Sequence, residues 1–253
     1  MLVVEYEGTC YCGFQLQTNA PTIQGELEIA LKKLVGEDIR VKAACRTDTG
    51  VHARGQVVSI QTESALPLRA YVHGLNHHLP EDIAVISAEP ASDAFNVRHA
   101  TARQYSYFID NGGVRSPLKR RFTHLVTQPL DIEAMDATCQ ELVGEHDFRS
   151  FATSLDSSYR STVRRVDRAK VSRKGDLVRF DITANAFLPH QVRNTVGALI
   201  QAGQSKLGKK EFQERMAART PGLMGPTAPP QGLFLMQVSY AGPHSGPGDE
   251  SVQ

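Results

Sequence analysis

Between Thr22 and Gly36 the apolar residues Ile23, Leu27, Ala30, Leu31, Leu34 and Val35 recur at a 3.6-residue period, so one face of a helix is apolar and the other is not. Thr22, directly behind Pro21, is a suitable N-cap, because a threonine hydroxyl accepts from an unpaired amide of the first turn. The flanking stretches are of another kind: residues 1–7 read as a strand, and residues 39–44 place apolar side chains at alternate positions. A one-faced helix between strands must bury its stripe against a sheet, which restricts the chain to layers of helix on sheet.

The same alternation runs on. Residues 56–61 read as a strand, 68–78 as a helix ending before Pro80, 83–88 as a strand, and 103–110 as a strand entering the Asn111-Gly112-Gly113 turn. Later come a helix over 132–143, a hairpin over 163–183 turning at Lys174-Gly175, helices over 189–203 and 209–217, and a last strand over 233–240. Two α+β halves are expected, residues 1–105 and 106–240, sharing one sheet, since the Pro/Gly-rich segments lie late, at 221–232 and beyond Ala241. Residues 241–253 have nothing to bury and are expected to form a disordered tail.

The 253 residues suffice for a full core, and 41% hydrophobic with 22% charged residues is an ordinary globular balance. No apolar run approaches the roughly 20 residues of a membrane helix, which excludes a membrane-spanning reading. Residues Met1–Glu7 lack the basic region and long apolar stretch of a secretory signal, so the cytoplasm is the expected compartment. Cys10, Cys12, Cys45 and Cys139 are spaced for neither a disulfide framework nor a zinc site and read as reduced thiols. A net charge of +1 and a pI near 7.8 argue against a nonspecific nucleic-acid coat, whose affinity comes from neutralising many phosphates. A local basic patch remains compatible with both values.

The segment Arg46-Thr47-Asp48-Thr49-Gly50-Val51-His52-Ala53 holds one carboxylate and one histidine. Taken alone, Asp48 in a run of turn-forming residues is a turn aspartate. Arg46 and Arg54, however, bring permanent cations to a carboxylate that must stay ionised to act as nucleophile or base. Asp48-Thr49-Gly50 also resembles the aspartic-protease tripeptide, but no second such segment follows, and Arg46 and Thr47 stand where that loop has an apolar strand.

Other residues have two readings each. His52 is a proton carrier by its ordinary pKa, or a local hydrogen-bonding group that shapes its loop. His73 and His77 stand four apart on a helix without an evident third metal ligand and are assigned to surface or packing. Tyr105 and Tyr107 share a strand, one ring expected in the core and the other at a cleft. The clusters Lys119-Arg120-Arg121 and Arg160, Arg164, Arg165, Arg168 are either a phosphate track or solvated faces. Arg193 reads as a basic residue on the helix opened by Pro189. No Gly-rich phosphate loop precedes a helix, and neither a nucleotide cofactor nor a metal is expected.

Longer blocks narrow these readings. They are Tyr6-Glu7-Gly8-Thr9 with Gly13-Phe14-Gln15, Thr22–Glu28, Arg46–Ala53, Thr101-Ala102-Arg103-Gln104-Tyr105-Ser106-Tyr107, His146-Asp147-Phe148, Asn185–Asn194 and Gly225–Leu235. In order and spacing the chain resembles the TruA-type tRNA pseudouridine synthases, whose central motif is Arg-Thr-Asp-x-Gly-Val-His-Ala. The resemblance covers nearly the whole chain up to Tyr240. It departs at Cys45 for glycine, Thr49 for alanine, Phe14 for tryptophan and Asn96 for aspartate.

The resemblance implies an α+β fold with a mixed central sheet flanked by helices, in two similar halves with the active cleft between them. It also implies a homodimer in which one tRNA touches both subunits, and uridines 38, 39 and 40 of the anticodon stem-loop as substrate. Asp48 then matches the catalytic aspartate, Arg193 its arginine partner, Tyr105 the tyrosine facing the target uracil, and Arg46 the residue that assists base flipping. Arg54, Arg103, Lys119, Arg120 and Arg164 are the further expected RNA contacts. The competing reading is a noncatalytic RNA-binding module, since paired α+β halves with exposed aromatics hold RNA by stacking.

Overall fold

The computed structural model describes residues 1–153, 155 and 161–241. Arg160 and the expected tail beyond Ala241 lie outside these residues. In chain order the elements are β1 (Leu2–Tyr6), α1 (Ile23–Val35), β2 (Lys42–Ala43), β3 (His52–Ser59), α2 (Leu68–His78), β4 (Ile83–Ala88), β5 (Ala102–Asp110) and β6 (His124–Leu125). There follow α3 (Ile132–Cys139), β7 (Gly144–Asp147), β8 (Val163–Lys174), β9 (Leu177–Ala184), α4 (Gln191–Gly203), α5 (Lys209–Ala217) and β10 (Leu233–Ser239). The chain forms two units, Met1–Thr101 with the segment from Phe234 onward, and Ala102–Leu233.

In the first unit β1 lies between β4 and β3 and runs antiparallel to both, β2 adds to β3, and β10 runs parallel to β3. Leu2, Val4 and Tyr6 of β1, at a period of two, are buried, as are Ile83 and Val85 of β4. Ile23, Leu27, Ala30 and Leu31 of α1 are buried as well, and α1 packs against α2, which in turn packs against β4. Helix α1 starts where the Thr22 hydroxyl accepts from Gly25 N–H at 3.2 Å. It stops at Gly36, whose left-handed φ of 79° ends the helix without a Cβ penalty.

In the second unit β5, β9, β8 and β7 form an antiparallel row in that order, with the short β6 parallel to β5. Val178, Phe180, Ile182 and Ala184 of β9 are buried at alternate positions. Helix α4 is buried almost all round and passes the Gly225-Pro226 segment so closely that a Cβ on Gly197 would meet the Pro226 carbonyl oxygen at 1.8 Å. The result is an α+β protein with mixed sheet flanked by helices.

Some boundaries differ from the sequence expectation. Strand β3 begins at His52, four residues early, because His52 and Ala53 pair with Phe234 and Leu235 of β10. Only Lys42–Ala43 of the 39–44 stretch pairs as strand. At Val41 the backbone is bonded by α1 side chains instead, Glu28 accepting its N–H at 3.0 Å and Gln24 donating to its carbonyl at 3.3 Å. Helix α4 begins at Gln191 because His190, at φ 59°, turns the chain just before it. The 132–143 helix loses its α form after Cys139 and finishes as a 3-10 turn over Gln140–Leu142. The strands β6 and β7 were not anticipated.

Candidate active site

Asp48 lies in the connection from β2 to β3. Val51 N–H donates to the Asp48 carbonyl at 3.1 Å, closing a turn in which Gly50 has φ 76°, a conformation that favours glycine. Thr47, just before it, is buried, whereas Asp48 is half-buried and Thr49 exposed. The turn is therefore anchored on one side and open at its tip.

Most of the anchoring is made by peptide groups. Phe14 N–H donates to the Thr47 carbonyl at 3.0 Å and Gly50 N–H to the Tyr11 carbonyl at 3.3 Å. Two glycines allow this approach: a Cβ on Gly8 would meet the Val51 oxygen at 2.0 Å, and one on Gly13, at φ 86°, the Thr47 oxygen at 2.7 Å. Gly8 N–H also donates to His52 Nδ1 at 3.0 Å, and the His52 ring stacks on Phe234 at 4.6 Å. With Nδ1 accepting and only 1% of the residue exposed, His52 holds the loop as a neutral ring, the local of its two readings.

Beneath the turn lies a polar cluster that the sequence reading missed. The Gln56 amide oxygen accepts from Cys45 N–H at 3.3 Å and its nitrogen donates to the Cys45 carbonyl at 2.9 Å. The same nitrogen lies 3.5 Å from the Tyr6 hydroxyl, itself 2.7 Å from the Thr47 hydroxyl. Burial pushes the Tyr6 phenol well above its ordinary pKa, so it stays a protonated partner. A glutamine at an inward strand position was the available signal.

Asp48, Arg46 and Arg54 lie in the first unit, with both arginines exposed, while Arg103, Tyr105, Lys119, Arg120, Arg164 and Arg193 lie in the second. Tyr105 meets Phe187 edge to face at 5.2 Å, and Arg103 donates to the Asn185 carbonyl, so one segment serves both. Tyr105 and Tyr107 do not divide between core and cleft as expected. Two residues apart on β5 they share a face, and what separates them is depth, Tyr107 being fully buried and Tyr105 slightly exposed. The Tyr107 hydroxyl donates to the Pro229 carbonyl at 2.8 Å. Burial raises its pKa and the nearby Arg193 charge opposes the rise.

Arg193 Nε–H donates to the Ala228 carbonyl at 2.8 Å. One turn position on, Asn194 donates to the Phe151 carbonyl at 2.6 Å and accepts from the Thr227 hydroxyl at 2.6 Å, fixing the same loop. Among the expected RNA contacts, Lys119 forms a 3.2 Å ion pair with Asp110, whose side chain is 4% exposed. Arg164 donates to the carbonyls of Ser161 and Val163, and Arg120 is exposed.

The departures fit their sites. Cys45 is gripped by its peptide atoms, Thr49 is exposed, and Phe14 is buried 6.2 Å from the Tyr6 ring. Asn96 accepts from Arg98 N–H at 3.0 Å, a role open to the aspartate usual there. Among the described residues no group of three His, Cys, Asp or Glu could hold a metal ion, and no helix is long and apolar enough to cross a membrane. None of the four cysteines is in a disulfide.

A family model described as tRNA pseudouridine synthase matches residues 2–99 and 138–241, which defines the class as an RNA-modifying isomerase. The tRNA pseudouridine synthase A of Geobacter sulfurreducens is 43% identical over 242 residues, covering 94% of this chain and 98% of that protein. That of Myxococcus xanthus is also 43% identical, covering 94% and 91%, and that of Moorella thermoacetica 42%, covering 94% and 98%. The chain belongs to the TruA-type tRNA pseudouridine synthase A family.

Proposed function

We propose that Asp48 is the nucleophile of uridine isomerisation at positions 38, 39 and 40 of the tRNA anticodon stem-loop, with Arg193 as its partner and Tyr105 against the target base. Family membership makes the chain an enzyme that converts uridine to pseudouridine in tRNA, and it sets aside the noncatalytic and protease readings. The observation that carries the proposal is the Asp48 turn, tied down by main-chain hydrogen bonds at Thr47, Gly50 and Val51 while the aspartate itself is half-buried.

The reaction breaks the N1–C1′ bond, turns the uracil, joins C5 to C1′ and releases the C5 proton. A carboxylate serves this chemistry by adding to the uracil or by acting at C1′, where charge develops as in glycoside cleavage. A stacked base must first leave the helix, at a cost of a few kcal/mol; exposed Arg46 is suited to hold the displaced backbone. The planar fork of an arginine suits a bidentate contact with a carboxylate. Exposed Arg54 and Arg120, together with Arg103 and Arg164, belong to the tRNA contacts of this reading. So do a homodimer sharing one tRNA and a cytoplasmic location.

Asp48→Asn tests it. The variant is expected to bind tRNA and release no tritium from C5-labelled uridine; retained turnover would sink the nucleophile assignment.

A further inference from the structure

We propose that Gln56 is a positioning residue for Asp48, acting through the Cys45 peptide and through Tyr6 on the Thr47 hydroxyl. The inference rests on the reading of Asp48 as nucleophile.

Main-chain pairing of this connection with β3 reaches Ala44, whose N–H donates to the Val57 carbonyl at 2.9 Å. At Cys45 the Gln56 side chain takes over, bonding both peptide groups of that residue as a neighbouring strand would. The amide orientation is fixed, because reversing it would set donor against donor and acceptor against acceptor. Its second N–H points to the Tyr6 hydroxyl, 3.5 Å away, which in turn shares a 2.7 Å hydrogen bond with the Thr47 hydroxyl. Gln56 is 0%, Tyr6 3% and Thr47 6% exposed, and buried polar groups of this kind are costly unless bonded. Thr47 is thus held at its hydroxyl by Tyr6 and at its carbonyl by Phe14 N–H. Its two anchors leave the next residue, Asp48, little freedom. Being buried, the cluster acts on the reaction by placing the carboxylate.

The variants are Gln56→Met, which keeps length without the amide, Tyr6→Phe and Thr47→Val, each removing one polar group, and Thr47→Ser, which keeps the hydroxyl. Steady-state tritium release, tRNA binding and thermal unfolding are measured together, with Asp48→Asn on the same substrate. The proposal expects kcat to fall about 10-fold to 100-fold in the first three, the scale of a misplaced catalytic group, with KM and tRNA affinity unchanged. It also expects Thr47→Ser to restore kcat and the Tyr6→Phe/Thr47→Val double variant to be no worse than the poorer single one. Tyr6→Phe loses one oxygen, so it remains informative if Gln56→Met does not fold. Wild-type kcat in folded Tyr6→Phe and Thr47→Val, beside an inactive Asp48→Asn, overturns the positioning role alone. Turnover by Asp48→Asn removes the nucleophile reading and this inference with it.

Discussion

Arg193 Nε–H donates to the Ala228 carbonyl, and Ala228 N–H returns a 3.1 Å bond to the Arg193 carbonyl. The side chain is thereby held along its Nε edge, and the helix and the loop after Pro226 are joined by the same two residues. Lysine keeps the charge but lacks the fork and the Nε–H. Arg193→Lys is expected to lose on the order of 100-fold in turnover while the fold survives, at a cost of about 1 kcal/mol for the lost bond. Tritium release and thermal unfolding read the two effects separately.

Tyr105→Phe keeps the ring against Phe187 and removes only the hydroxyl. If that hydroxyl carries the C5 proton, proton release falls about 10²-fold to 10⁴-fold with tRNA affinity intact. Tyr107→Phe instead removes the donor to the Pro229 carbonyl, and its expected effect is a stability loss of about 1 kcal/mol. Tritium release and a melting curve for both variants separate the roles.

Gly8→Ala drives a methyl group into the Val51 carbonyl oxygen, with main chain on both sides of the contact. Overpacking of this kind costs roughly 1–3 kcal/mol, and here it displaces the turn that carries Asp48. The expected outcome is a lower melting temperature together with a lower kcat in the remaining folded enzyme.

Lys119 and Arg120 are adjacent in sequence and differ in occupation. Lys119→Met strands the buried Asp110 carboxylate and is expected to lower stability. Arg120→Met leaves stability unchanged and, as a lost phosphate contact, lowers the slope of log affinity against log salt by about 1. Melting curves and tRNA titrations across ionic strength check the contrast.

Asp136 accepts from Lys170 Nζ at 2.7 Å and Val171 N–H at 2.8 Å. Burial pushes its pKa up, but the Lys170 and Val171 bonds outweigh burial and hold it below the ordinary 3.8. A carboxyl lowered on folding contributes stability above its unfolded pKa and loses it as pH falls through the folded one. Asp136→Asn is therefore expected to be less stable than the native chain at neutral pH, with the gap closing below pH 3.8. Urea unfolding across that range measures it.

Helices α1 and α2 were legible because their signals are local: a stripe and the Thr22 cap in one, the stop before Pro80 in the other. Strand β3 was legible only in part, since its first two residues pair with a strand almost two hundred residues later. Resemblance pointed to Asp48, Tyr105 and Arg193 as candidates, but nothing in it describes the Gln56 grip or the Asn194 tie, which depend on the path of the backbone. The two tyrosines were misread for a simpler reason. A period of two puts them on one face, and only packing decides their depth.

The Gln56 grip on Cys45 is made to peptide atoms, which every amino acid except proline supplies alike. Position 45 can carry either glycine or cysteine and keep the grip, while proline there would delete the N–H and undo it. The tolerance at 45 and the demand at 56 are two sides of one constraint: the grip is lost with the glutamine amide and kept through any change of side chain at its partner that leaves the N–H in place.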